Sequence, residues 1–193
     1  MTDEDKVLWA AFRAGDNSAF EGLLRAYYKS LLEYGFRFIK DKDTLQDLVH
    51  DLFINLWERR IFLNPDVTSI KLYLFVSLKN QIFKYLQKNT HQERFSDDWQ
   101  EQESDNDDFV ENRLIEQEIV LENQSRLQLV ISRLPKRQQE ILHLKYYEAL
   151  THEQIAEVMA ISQPAVRNLL SQSLKSIREQ WGLLLIVLLL FLR

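Results

Sequence analysis

The sequence predicts an all-α protein: two small helical domains joined by an acidic linker and followed by an apolar C-terminal tail. Three observations carry this. Apolar residues recur at a period near 3.6 over long stretches, and no alternating stretch is convincing as a strand. Only four glycines and three prolines interrupt 193 residues, so helices can run long. The charge is also segregated: 89–118 holds 2 cations against 11 acids, whereas 1–88 is balanced at 13 against 12 and 119–193 leans basic at 9 against 6. The formal net charge of −5 therefore resides in one polar segment. Residues 90–118 read as a solvated tether between a domain at 1–89 and another at 119–180, with 181–193 as the tail. A second use of that acidity, mimicry of phosphate against the basic faces of the chain, stays open.

In the first domain, Phe20, Leu23, Leu24, Tyr27, Tyr28, Leu31, Tyr34 and Phe38 fall at helical spacing between Ala19 and Ile39 and are expected in the core. From Thr44 to Trp57 the helical template is met without a miss by Leu45, Leu48, Val49, Leu52, Phe53, Leu56 and Trp57. On the opposite side Asp43, Asp47 and Asp51 stand four apart, a like-charge stack that costs roughly 0.2–0.5 kcal/mol per pair. The helix dipole offsets part of this for Asp43 and Asp47, but not for Asp51. Such a stripe invites a basic partner. Glu58-Arg59-Arg60 closes the helix with cations, and Asn64-Pro65-Asp66 marks a loop. Ser69 to Asn89 resumes as a helix that mixes Tyr73, Phe75, Phe83 and Tyr85 with Lys71, Lys79, Asn80, Lys84 and Lys88. The rings are expected mostly in the core, and the face of Lys79, Asn80, Lys84 and Lys88 is expected toward DNA.

In the second domain, Leu134 to Arg178 reads as three helices. Thr151 and Gln154 form a capping-box pair before a middle helix whose buried side is Ile155, Ala156, Val158 and Met159. A tight turn at Ala160-Ile161 follows, and Ser162 caps the last helix with Pro164 in its first turn. Val166, Leu169, Leu170, Leu174 and Ile177 are expected inward there. That leaves Gln163, Arg167, Asn168, Ser171, Gln172, Lys175 and Arg178 outward, a set with three cations and no acid. A DNA major groove suits this mixture: Arg and Lys bind phosphate or guanine edges, while Asn and Gln match adenine edges.

Composition also excludes. With no cysteine there are no disulfides or thiolate-held metals, and no basic-apolar signal peptide opens the chain, which together suit a reducing cytoplasm. His50, His91, His143 and His152 lack a metal-ligand spacing, and no glycine-rich phosphate loop occurs. The expectation is a non-catalytic chain without cofactor or metal. The run Leu183 to Leu192 is apolar all round; with Trp181 and Gly182 leading in, the whole stretch as a helix would extend roughly 18 Å, short of the ~30 Å hydrocarbon core of a bilayer. It needs cover from the chain's own domains, a second copy, an inhibitory partner or a membrane surface. One specific expectation is that it packs on the chain's own partner- or DNA-binding faces and holds the chain inactive.

The two domains in this order resemble the extracytoplasmic-function sigma factors, small initiation subunits of bacterial RNA polymerase, over roughly 16–89 and 120–179. The first carries the family's acidic-aromatic pattern through Asp47-Leu48-Val49-His50-Asp51-Leu52-Phe53 to Trp57, with Asp43 or Thr44 leading in. The second carries Leu134-Pro135, Tyr146-Tyr147 and Thr151-x-Glu153-x-Ile155-Ala156. The resemblance implies that Asp43, Asp47, Leu48, His50, Asp51 and Trp57 belong to a helix docking on the polymerase clamp. It implies a loop near Arg59, Arg60 and Asn64 that captures an unstacked base, and a helix with Lys79, Asn80, Lys84 and Lys88 that recognises and opens the downstream promoter element. The upstream element falls to Gln163, Arg167, Asn168, Ser171, Gln172 and Lys175. Implied partners are core RNA polymerase, promoter DNA and an anti-sigma factor. Two departures stand out: Ala160 replaces the usual turn glycine, at a cost of about 1 kcal/mol if the backbone needs positive φ, and Leu169 replaces a common Arg. The alternatives are a stand-alone helix-turn-helix regulator, or a membrane-associated helical interaction protein driven by residues 183–192.

Overall fold

A computed structural model describes residues 2–90 and 130–191, with side chains for 2–89 and 130–179. Among the described residues there are helices and turns and no strand. The helices are α1 (Asp3–Arg13), α2 (Asn17–Gly35), α3 (Lys42–Glu58), α4 (Ile70–Thr90), α5 (Lys136–Leu142), α6 (His152–Met159) and α7 (Gln163–Phe191). A 3-10 turn, Arg60–Phe62, follows α3, and a π turn, His143–Tyr147, follows α5. The acidic segment from His91 onward lies outside the described residues. Two compact units result, with α1–α4 in the first and α5 and α7 in the second; Glu153–Ala160, most of α6 and the residue after it, groups with the first.

Helix starts follow from capping side chains. Thr2 and Asp5 form a reciprocal capping box at α1, an element the apolar pattern had not suggested. Asp16 accepts from the Ser18 N–H at 2.7 Å at the start of α2. Ser69 accepts from the Leu72 N–H at 3.2 Å at α4. Asp41 accepts from the Thr44 N–H at 2.8 Å at α3. Hydrogen bonds from the Thr44 side chain and backbone hold the Asp41 carboxyl below its ordinary value. With a lowered folded-state pKa, this cap contributes above the ordinary carboxylate range and is lost as pH falls through the lowered value.

The first unit closes on aromatic residues. Trp9 and Phe12 are fully buried, and Phe12, Phe20 and Trp57 lie 5.0–6.2 Å from one another between ring centroids. The Trp9 indole N–H donates to the Asn64 carbonyl at 3.0 Å, which ties α1 to the loop before α4. Leu45, Leu48, Val49, Leu52, Phe53 and Leu56 are all buried as the spacing predicts, and Trp57 is half-buried. The second helix ends earlier than expected, at Gly35 rather than Ile39. There the Phe38 and Ile39 amides both turn back to the Gly35 carbonyl, which keeps Ile39 in the core although it is no longer helical.

In the second unit, α7 is capped by Ser162, whose hydroxyl accepts from the Ala165 N–H at 3.3 Å, and Pro164 sits in the first turn as expected. Val166 and Leu170 are buried, Leu169 and Ile177 half-buried. The expectation for Leu174 is corrected: it is 41% exposed, and Ser173 is fully buried in its place. The reason is phase: at about 100° per residue, Ser173 falls about 20° from the buried Val166 around the helix and Leu174 about 80°. A serine is tolerated inside because its hydroxyl donates to the Leu169 carbonyl at 2.7 Å. In α6, which groups with the first unit, Ile155, Val158 and Met159 are buried and Ala156 half-buried.

Two alanines flank α6 in the left-handed region, Ala149 at φ 54° and Ala160 at φ 52°. The condition attached to the missing turn glycine is thus met, and at a second position as well. Ala149→Gly and Ala160→Gly are each expected to stabilise the fold by up to about 1 kcal/mol, relief of the left-handed strain outweighing the added freedom of the unfolded chain. Urea unfolding reads this directly, and an unchanged or lower midpoint would show that the two alanines carry no strain.

The backbone of α7 continues unbroken to Phe191, so the apolar run from Trp181 belongs to the same helix as the recognition residues. Among the described residues no helix is long and apolar enough to cross a membrane.

Candidate nucleic-acid interface and acidic docking face

α6, the turn Ala160-Ile161-Ser162 and α7 follow in the order helix, turn, helix. Gln163, Arg167, Asn168, Ser171, Gln172 and Lys175 are all exposed on α7, as is Arg178. Lys175 lies 3.7 Å from Glu179, both well exposed, a contact weak enough for DNA phosphate to displace. Asn168 and Gln172 line a shallow groove of about 280 Å³ with Ile161, Ala165, Leu169 and Arg137. Leu169, where the family commonly has Arg, makes the groove wall apolar. Arg137 was not singled out from sequence; its signal was the Lys136-Arg137 pair directly after Pro135, at the start of α5.

On α4, Asn80, Lys84 and Lys88 are exposed. Lys79 is half-buried, with its ammonium 5.8 Å from the Phe38 ring centroid and 5.7 Å from that of Phe83, so part of its charge is spent inside the unit. Phe75 is fully buried, while Tyr73, Phe83 and Tyr85 are half-buried, in line with a mainly structural use of the rings.

The loop before α4 departs from expectation. Arg59 is exposed. Arg60 instead lies with its guanidinium carbon 4.2 Å from the Trp57 ring centroid, and its Nη1 donates to the Trp57 carbonyl at 2.7 Å. Asn64 is exposed, but its carbonyl accepts from Trp9 and its Oδ1 accepts from the Asp66 N–H at 2.9 Å, which fixes the loop. Sequence reasoning passed over Ile61 and Phe62, which are 60% and 81% exposed. Two apolar residues between an Arg pair and a turn signal were the available clue.

On α3, Asp43, Asp47, His50 and Asp51 are exposed. The Tyr28 hydroxyl lies 3.1 Å from His50 Nε2, and the two rings stack at 5.6 Å. Ile54, one turn on, is 54% exposed and extends the same face. Leu48 is buried and Trp57 half-buried, so these two belong to the support of the face rather than to its surface. Among the described residues no cluster of three or more His, Asp or Glu could hold a metal ion.

The sigma-70 region 2 family matches residues 23–92, and the sigma-70 region 4 family matches 124–177. The RNA polymerase sigma factor SigF of Mycobacterium tuberculosis is 38% identical over 60 residues, 31% of this chain and 23% of that protein. This chain thus spans about a quarter of that relative's length. The ECF RNA polymerase sigma factor RpoE of Cereibacter sphaeroides is 21% identical over 93% of this chain and 98% of that protein. Among solved structures, the sigma factor RpoE of Bartonella quintana, in complex with the anti-sigma factor NepR, superposes with a TM-score of 0.61 at 16% identity, covering 84% of this chain and 96% of that one. With both sigma-70 regions matched in order, the chain belongs to the sigma-70 family.

Proposed function

We propose that this chain directs core RNA polymerase to chosen promoters and helps to open them. In this reading residues 1–89 bind polymerase and the downstream element, 90–118 serve as tether, 119–180 bind the upstream element, and 181–193 form the apolar tail. The exposed, acid-free run from Gln163 to Lys175 carries the reading, because it places readers of base edges and of phosphate on one helix face. Asp43, Asp47, His50 and Asp51 form the polymerase-facing surface, which Ile54 extends by an exposed apolar residue. Arg59, Asn80, Lys84 and Lys88 hold the downstream backbone, and Phe62 with Ile61 offers an apolar platform to an unstacked base. Arg137 adds a phosphate contact beside Asn168 and Gln172. The chain supplies position and base capture while the polymerase supplies the chemistry, and it acts in the cytoplasm where that enzyme works. An anti-sigma factor is the class of inhibitory partner that fits. A stand-alone regulator would leave the acidic stripe of α3 without a use.

The test is run-off transcription with core polymerase on a promoter library. Arg167→Ala is expected to cost about 1–3 kcal/mol in upstream-element binding and to relax preference at one base position. Lys84→Ala is expected to weaken binding evenly across sequences and to lower the salt slope by about one. No start-site preference from folded protein would end the proposal.

A further inference from the structure

We infer that Arg60 is a positioning residue and not a DNA contact: it braces the turn Arg60–Phe62 so that Ile61 and Phe62 stand outward for an unstacked base. The inference rests on the downstream reading given above.

The Arg60 guanidinium has two packing neighbours, Trp57 and the Gly15 corner. It lies over Trp57 at 4.2 Å, and that ring is itself packed by Phe12 at 6.2 Å and Phe20 at 5.0 Å. Near Gly15, a Cβ would stand 3.5 Å from Arg60 Nε and 3.7 Å from Nη2. Gly15 holds φ +93°, a conformation that a side chain would strain, so the corner between α1 and α2 approaches Arg60 through a residue suited to it. Nη1 is committed to the Trp57 carbonyl and Nε is buried. To reach a phosphate, Arg60 would have to give up the ring and the carbonyl together, while Arg59 next to it is already exposed. The turn is closed by the Phe62 amide donating to the Arg59 carbonyl at 2.9 Å and the Leu63 amide donating to the Arg60 carbonyl at 3.3 Å. The guanidinium therefore fixes the one backbone segment that presents Ile61 and Phe62. Lysine cannot replace it, since an ammonium neither stacks flat on an indole nor offers a planar fork.

The experiment measures holoenzyme binding to a fork probe with a single-stranded downstream element, at several salt concentrations. Phe62→Ala is expected to weaken fork binding about tenfold, the scale of one lost base stack. Arg60→Ala and Arg60→Lys are expected to weaken it by a similar factor without changing the salt slope, whereas Arg59→Ala flattens the slope by about one. The double variant Arg60→Ala/Phe62→Ala should also lose about tenfold, not about a hundredfold, because both changes act through one contact. A salt slope lowered by Arg60→Ala, or multiplicative losses in the double variant, would overturn the inference. So would loss of core polymerase binding in Arg60→Lys, which would mark a general stabiliser. If Phe62→Ala weakens the fork and Arg60→Ala does not, the brace alone fails. If neither Phe62→Ala nor Ile61→Ala has an effect, the downstream reading of the turn fails and the brace falls with it.

Discussion

Asp47→Lys is expected to leave this chain more stable and unable to hold core polymerase. Asp47 is exposed on α3, four residues from Asp43 and from Asp51. The substitution turns two repulsive pairs into two attractive ones, and at roughly 0.2–0.5 kcal/mol for each pair of either sign the gain is about 1 kcal/mol before salt screening. Little is lost from the helix dipole, because its influence fades after the first turn and α3 begins at Lys42. Binding moves the other way. A lysine facing a basic surface meets like charge at the centre of the interface, which costs several kcal/mol, or a loss of about a hundredfold or more in affinity. Ile54→Ala, which removes the exposed apolar residue of the same face, should weaken binding while leaving stability nearly unchanged. Titration of labelled protein with core enzyme, set beside urea unfolding, separates the two effects. Unchanged affinity would remove the acidic stripe from the docking surface. A drop in stability would make Asp47 a structural residue.

How much of this was readable in advance depends on which physical term decided each element. The α3 helix was legible because burial decides it: seven apolar positions repeat at one phase, and no local term competes. α7 was legible for the same reason, with one slip. Leu174 was placed inside on its chemistry, whereas helical phase put Ser173 there and a bond to the Leu169 carbonyl made it acceptable. α1 was missed although its capping box is plain in Thr2 and Asp5, because exposed Val7 blurs the periodicity around Trp9 and Phe12. The left-handed alanines were half-read. Ala160 was suspect through the missing glycine, but nothing local marks Ala149, whose backbone is set by the π turn that precedes it. The loop before α4 was the least legible part. Arg60 and Asn64 are the residue types that contact DNA, yet Trp57 and Gly15 pack the Arg60 side chain and Trp9 and Asp66 fix the loop at Asn64, and those partners lie up to 55 positions away in sequence. Residue type identifies a possible partner; only the packing of distant residues says whether the side chain is free to meet it.

A damaging single change to the first unit is expected at Gly35. A Cβ there would stand 2.5 Å from Leu45 Cδ1 and 3.4 Å from Ile82 Cδ1, so the end of α2 meets α3 and α4 at a distance that only glycine permits. Leu45 and Ile82 are buried, and neither has solvent to move into. Gly35→Ala gains up to about 1 kcal/mol in helix propensity but forces Leu45 off its place, an overpacking cost of roughly 1–3 kcal/mol. The net loss is therefore about 0–3 kcal/mol. Gly35→Val, bulkier and branched at the point of contact, should cost roughly 3 kcal/mol or more and loosen the whole unit. Hydrogen exchange localises the effect, with amides of α2, α3 and α4 losing protection while those of α5 and α7 keep theirs. A second variant tests the cause. Leu45→Ala alone leaves a cavity worth about 2–5 kcal/mol. Joined to Gly35→Ala it should cost less than the two losses added together, because the new methyl occupies part of the space that Leu45 vacates. Strict additivity would mean that Leu45 is not what the methyl meets. It would place the constraint in the backbone, at the Gly35 carbonyl that receives the Phe38 and Ile39 amides.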